Sequence, residues 1–593
     1  MGCRAVRRLL ACLVLVGGFV GTQPGLAQSL ATSPPSCCSL GADLFANPPF
    51  ANVATSTQAT VSLTNQPAVQ IINGNVIGSN PAVNNTPTLN VTINPNAFGA
   101  VGPPYAVGVF GHGAVDMVDG GENAAQALWA IGPTLSIGNN ASVSLTSPGP
   151  VPLGYPFTDT TPFLLASTLL AASSGADGFF QTARKTPANS SVYNGATGGS
   201  VAITNSGSIT VSATAVSGFI NTPWDPYASA VAAVSAGGNG VGGKTNDNDI
   251  GGNGGNGGTI AVTTLPGSQI TIQGAGAGAA PLNGITAYSQ GGGSGCDCHG
   301  DVANLHGASG SGGSVTVTHN GGIASAASNS IGISAVSIGG DGGLSTGHGV
   351  GAAPGTSGPG GAVQVTLNSG ASINLTGGDS IGVLAASSVG PSAQSNTSNS
   401  GGPVTVTINP GATIAASGGG AFNIGVAAIS TGSPDILQPF TQSSVNANGS
   451  GFSGAVNVTN NGTISTNGAL AIGVAALSLG GSGVFTTASS AGTSALGNAG
   501  SYSNGGGTVS VSNTGSITTN GGSAFGILAA SNGAGGLLNL APNLVGGGLT
   551  SIDIIGGQTA SNNGNGGSVT VTDSGAITTG DGSGGGKLAI GIL

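Results

Sequence analysis

From about residue 200 onward, short runs of alternating apolar and polar residues recur along the chain at intervals of 41 to 60 residues. The first apolar position of each run is Val201, Ile260, Val315, Val363, Val404, Val456, Val509 and Val569. The second, two residues on, is Ile203, Val262, Val317, Val365, Val406, Val458, Val511 and Val571. Eight or ten residues after the first comes a third position that is isoleucine in all eight copies: Ile209, Ile270, Ile323, Ile373, Ile414, Ile464, Ile517 and Ile577. Residues i and i+2 share a face in a strand and not in a helix. Stiff β-branched side chains also suit a pleated surface with one buried side. The pattern therefore predicts two short strands per unit.

Between them stand Asn205-Ser-Gly207, Asn409-Pro-Gly411, Asn460-Asn-Gly462, Asn513-Thr-Gly515 and Asp573-Ser-Gly575. Asn, Asp and Gly tolerate positive φ, so this is a turn. After a variable spacer each unit closes on a glycine followed by Ile or Val, at Gly284, Gly332, Gly382, Gly425, Gly473, Gly526 and Gly591, with Ala230 in the first copy. The complete copies continue into Ala and Ser, as in Ala476 and Ser478. A glycine fixed inside a helix would cost about 1 kcal/mol per copy, whereas in a strand it marks a bulge or a close backbone approach. Each unit thus reads as strand, turn, strand, spacer, strand.

Three short strands with one apolar face cannot bury that face alone, but stacked neighbours can. The predicted fold is all-β, a β-solenoid of the right-handed parallel β-helix type, with each apolar column becoming a ladder along the axis. With rungs ~4.8 Å apart, eight coils extend ~38 Å. Glycine-rich stretches such as residues 237–258 differ from copy to copy and are expected to be loop insertions. Residues 28–199 are less regular. Val61-Ser-Leu63, Val91-Thr-Ile93 and Val143-Ser-Leu145 resemble worn first strands, which predicts divergent coils and an N-terminal cap.

Composition narrows the class. Of 593 residues, 115 are glycine, 39% are hydrophobic and only 4% are charged, which disfavours plain disorder because apolar surface is available for burial. Arg4, Arg7 and Arg8, the apolar run from Leu9 to Val20 and the Gly25-Leu26-Ala27 site read as a cleavable secretory signal over residues 1–27. Its removal leaves four basic residues, Arg184, Lys185, Lys244 and Lys587, against 17 acidic ones, a net charge of −13. Nucleic acid is therefore excluded as a partner, since it is bound through clustered Lys and Arg. Cys37, Cys38, Cys296 and Cys298 remain, too few to staple a chain of this length.

Taken together, the signal, the G-G-x-V-x-V-T-N-x-G-x-I unit and the A-x-G-[IV]-x-A-x-S block resemble the passenger regions of Gram-negative autotransporters, surface proteins of type V secretion that include many adhesins. The resemblance spans Ser200 to Leu593. It implies a structural or adhesive passenger at the cell surface or released from it, with a host-surface, matrix or carbohydrate ligand. It also implies an outer-membrane β-barrel at the C-terminus of the same chain. Here the sequence departs from the pattern. It stops inside a repeat at Leu588-Ala-Ile-Gly-Ile-Leu593, without the alternating strands of about ten residues that a barrel needs. The expectation is a shortened gene product whose last coil exposes a sheet edge.

Several residue groups invite chemistry, and each has a plainer reading. Gly378-Asp379-Ser380 looks like the nucleophile block of a GDS-type esterase, but Ser380 shares a column with Ser330, Asn423, Ala471 and Ala524, and the nearest histidine in sequence is His348. A nucleophile needs a base within hydrogen-bond reach, so a repeat corner is the preferred reading. A polysaccharide-active enzyme would need clustered acids and bases, which the repeats lack. Cys296-Asp-Cys298-His299 with His306 could ligate zinc, yet the spacing is not that of the strong zinc motifs, and a local disulfide is favoured. The glycine-rich stretch at residues 251–258, with Asp247, Asp249 and Asp341 nearby, lacks the Asp that calcium-binding nonapeptides carry after each glycine pair. His319 takes the Asn position before a turn. No catalytic residue, metal ligand or cofactor is assigned, and the chain is expected not to be an enzyme. One surface feature is regular: Thr204, Thr263, Thr318, Thr366, Thr407, Thr459, Ser512 and Thr572 fall outward in a straight hydroxyl column. It suits a binder of a repeating surface, a further alternative to adhesion.

Overall fold

In the computed structural model every regular element among the described residues is a strand, and the strands build three long parallel sheets of 11, 10 and 12 strands. The structure describes residues 51–52, 58–63, 69–73, 88–93, 98–101, 105–112, 115–116, 128–129, 132, 134–140, 142–147 and 166–175. It also describes residues 194–593 apart from 214–227, 241–251, 275–281, 296–306, 343–355, 391–398, 421, 433–450, 482–483, 487–504, 534–536, 544–547, 556–564 and 581–588. The N-terminal residues 1–50, including the signal and Cys37-Cys38, lie outside this set. Each unit contributes one strand to each sheet, as in Val404–Ile408, Thr413–Ala416 and Phe422–Thr431. The chain is thus a parallel β-helix.

The columns read from the sequence are the pairings of the ladder. Val201, Ile260, Val315, Val363, Val404, Val456, Val509 and Val569 are neighbours in unbroken register along the first sheet. The eight isoleucines from Ile209 to Ile577 do the same in the second. Together with residues of the third sheet they form one apolar core running from Leu135 to Ile527. Stacking, rather than the coil itself, removes these side chains from water: Val509 is 1% exposed, while the same position on the last rung, Val569, is 44% exposed. Burying a Val or Ile contributes roughly 1.5 to 3 kcal/mol before chain entropy is subtracted.

Coils also precede residue 200. The strands Gln58–Leu63, Thr88–Ile93 and Thr134–Asn139 extend the first sheet, with Val61 and Val91 in the column of Ile137 and Ile203. One expectation is corrected. Val143–Ser147 belongs to the second sheet, with Val143 paired to Ile209, and the first strand of that coil is Thr134–Asn139. An isolated V-x-L alternation fits either strand, and only the turn before it tells them apart.

The third strands are buried on both faces, as along Ser380–Ser388 and Leu470–Leu479. Val383 and Ala385 face the inner core, whereas Ile381, Leu384 and Ala386 belong to a second apolar cluster on the opposite side. This switch of face is made at the repeated glycine. The register passes from Ile381↔Ile424 to Val383↔Val426, skipping Gly382 and Gly425. Both partners carry the extra residue, so the pairing resumes in the same register beyond it. A Cβ on Gly425 would lie 2.6 Å from the Gly473 carbonyl oxygen and collide with Cγ2 of Ile464 one coil on. The isoleucine present in all eight copies and the glycine present in seven are two halves of one contact.

Two stability predictions follow from this packing. Gly425→Ala should lower the urea midpoint by an amount equivalent to about 1 to 3 kcal/mol, the cost of overpacking, while Gly419→Ala, with open space around its Cβ, should leave it unchanged. Equal midpoints for the two variants would contradict the contact. Thr466 is buried, its Oγ1 has no hydrogen-bond partner, and the same column carries Leu375 and Ala416 in the preceding coils. Thr466→Val should raise the midpoint by the equivalent of about 1 kcal/mol, and a fall would show that the hydroxyl is satisfied.

Candidate functional surface

The A-x-S block closes each coil through hydrogen bonds. Ser387 Oγ donates to the Gly361 carbonyl at 2.8 Å and accepts from the Gly402 N–H of the next coil at 2.8 Å. Ser430 repeats this with Gly402 and Gly454, at 2.9 and 2.7 Å, and Ser478 with Gly454 and Gly507, at 2.9 and 2.8 Å. The relay extends from Ser235 to Ser531. A side chain at Gly402 would run into the Gly361 carbonyl, and one at Gly454 into the Gly402 carbonyl, which accounts for the glycine two residues before each first strand.

Next to the relay the glycine-rich segments form a ladder of their own. Gly255 N–H donates to the Gly238 carbonyl at 2.8 Å, Gly292 to Gly255 at 2.7 Å, Gly310 to Gly292 at 2.9 Å, Gly340 to Gly310 at 2.8 Å and Gly358 to Gly340 at 2.9 Å. Outgoing and incoming segments of successive coils therefore alternate in one hydrogen-bonded row. The sequence reading assigned residues 237–258 wholly to a loop. Residues 237–240 and 252–258 instead belong to this row, and residues 241–251 lie outside the described residues. Lacking Cβ, glycine lets the segments approach closely enough to bond. The variable stretches between a third strand and the next first strand begin and end at this row, as at Gly432 and Gly451, joined at 3.1 Å.

A buried polar ladder lines the end of the first strand. Asn139 donates to Asn205 at 2.7 Å, Asn460 to Asn513 at 2.7 Å, and Asn513 to Asp573 at 2.7 Å. His319 stands in the same column and is fully buried. Its Nδ1 is 2.8 Å from Thr264 Oγ1, and its Nε2 lies 3.4 Å from the Ser372 carbonyl. The Ser372 carbonyl can only accept, so a neutral ring carries its proton on Nε2 and its Nδ1 accepts from the Thr264 hydroxyl, whose oxygen also accepts from Asn320 N–H at 2.9 Å. Burial depresses the imidazole to a pKa of about 4, partly offset by bonds to the backbone at Ser372 and Gly321. The position is structural, as its column implied.

The residues weighed for chemistry fall as follows. Ser380 is fully buried and its Oγ donates to the Gly377 carbonyl at 2.9 Å. Asp379 sits at φ 57 and accepts from Phe422 N–H at 3.0 Å. Asn329-Ser330 one coil earlier repeats the corner, with Asn329 also at φ 57 and Ser330 Oγ bonded to the Ala327 carbonyl at 2.7 Å. A hydroxyl so enclosed is a corner fastening and is out of reach of a substrate. The Asp341 carbonyl accepts from Ser294 N–H at 2.9 Å and from Ser309 Oγ at 2.7 Å. Asp247, Asp249, Cys296, Cys298, His299, His306 and His348 lie outside the described residues. Among the described residues no three His, Cys, Asp or Glu side chains come together.

What the described coils present to solvent carries no positive charge and a few aspartates, Asp573 among them. They contain no Lys or Arg. On the first sheet Thr204, Thr263, Thr318, Thr366, Thr407, Thr459, Ser512 and Thr572 are neighbours in direct register, half-buried or exposed. The Asn139 ladder, the serine relay and the glycine row were not read from the sequence. Their signal was present in the recurring Asn, Ser and Gly-Gly positions, but a hydrogen bond between coils has no local trace. Comparison with known proteins finds no matching family model, no matching curated protein and no matching solved structure.

His319 makes the fold sensitive to acid. Its pKa is lower in the fold than in the unfolded chain, so its stability contribution is complete above about pH 6.5 and is lost as the pH falls toward about 4. The loss amounts to about 3 kcal/mol. His319→Asn, which installs the residue found at Asn205, Asn460 and Asn513 of the same column, should flatten the fall in urea midpoint between those pH values relative to the wild-type chain. Parallel pH curves for the two chains would contradict this assignment.

Proposed function

We propose that the chain is a secreted or surface-displayed solenoid of structural and adhesive function, of the passenger type that its signal and repeats resemble. The observation that carries the reading is the division of labour in each coil. Valine, isoleucine, serine and glycine are spent on stacking, and most of the segments that differ from copy to copy, residues 433–450 among them, fall between a third strand and the next first strand, at the glycine row. A scaffold of this kind holds variable segments in line along one edge while its sheets stay constant. Loops positioned by a rigid scaffold are where binding residues concentrate. The lack of Lys and Arg among the described residues, in a chain with a net charge of −13 beyond residue 27, disfavours an anionic partner.

Segment exchange tests the proposal. Residues 433–450, between Gly432 and Gly451, are replaced by a Gly-Ser linker of equal length, and beads coated with either chain are washed over immobilised matrix proteins and neutral polysaccharides. The expected outcome is retention of wild-type beads on at least one surface, loss of retention with the exchanged chain, and an unchanged melting temperature. Absence of retention on every surface, or equal retention by both chains, would count against an adhesive role for this edge.

A further inference from the structure

The outward side of the first sheet presents its hydroxyl column at eight successive rungs without a slip in register. Seven of the eight residues are threonine and one is serine. Threonine is β-branched and holds few rotamers, so each of the seven threonine rungs presents one hydroxyl and one methyl with restricted freedom. The rungs repeat every ~4.8 Å, and alternate residues along a strand are ~6.8 Å apart, so the face is a grid with a constant period. The adjoining outward column adds Thr316, Thr405 and Thr570, and neither column carries a charged or aromatic side chain at any of the eight rungs.

These features restrict the partner by its chemistry. Charged polymers need counter-charges, and this face offers none. Aromatic platforms, the usual large and rigid contact for a flat ligand, are missing. Another protein's apolar patch would need apolar surface to match, and the column is hydroxylated throughout. A neutral, planar, hydrogen-bonded lattice remains. We propose that this face binds ice, with the threonine hydroxyls taking the places of lattice waters and the methyl groups seated between them. The fixed array accounts for how such a contact could form: the side chains are already ordered before binding, so little further entropy is lost.

Slow growth of an ice shell from a dilute solution of the full chain tests the proposal. The wild-type chain should enter the ice at several times the level of a non-binding control protein of similar size. Thr366→Lys with Thr407→Lys should be rejected like the control, and Thr518→Lys, on the outward side of the second sheet, should enter like the wild type. If the Lys pair melts below the wild type, Thr366→Gln with Thr407→Gln replaces it, because Gln364 already stands on this face. Rejection of the wild type, or equal entry of all variants, would overturn the proposal. So would rejection from ice combined with retention on microcrystalline cellulose, which would give the face to a crystalline polysaccharide. An adhesive role for the glycine-row segments can stand or fall independently of either outcome.

Discussion

The vertical register of aliphatic side chains is the constraint on which the rest of this structure depends. A single coil has too little interior to remain folded, because its three strands expose as much apolar surface as they cover. Placing Val406 against Val365 and Val458, and Ile414 against Ile373 and Ile464, turns small patches into a continuous dry column. A slip of one residue in any strand would turn its buried set outward, so the alternation itself enforces the stacking. Stability of such an array is carried by contacts between nearest neighbours.

Polar groups buried by that stacking have to be paired, and the chain solves this with ladders along the same axis. Serines such as Ser430 join the glycine before one coil to the glycine before the next, and asparagines pass a hydrogen bond from rung to rung. Both ladders obey the spacing set by the apolar columns, so they reinforce one register. His319 is a substitution within the asparagine ladder that keeps a partner above and below at neutral pH.

Much of this was legible in the sequence, for a physical reason. Burial of one strand face imposes a period of two, and stacking of equivalent residues imposes the same residue type at each rung; both leave marks that need no knowledge of distant contacts. Val201 to Val569 and Ile209 to Ile577 were readable on those grounds. The role of Gly425 was visible only as a glycine out of place, because its reason is the methyl of Ile464 in the next coil. Val143 was misplaced since two adjacent valine-like positions do not say which sheet they join. The glycine row stayed hidden because glycine repeats look alike whether they are free loops or a bonded edge.

The most direct test of the vertical register is the replacement of Ile464 by Asp, which puts a carboxylate into the dry column while leaving every strand able to form. Thermal unfolding followed by circular dichroism should show a β-rich wild-type chain and a variant destabilised by at least about 3 kcal/mol. A variant that melts with the wild-type chain would contradict the stacked core.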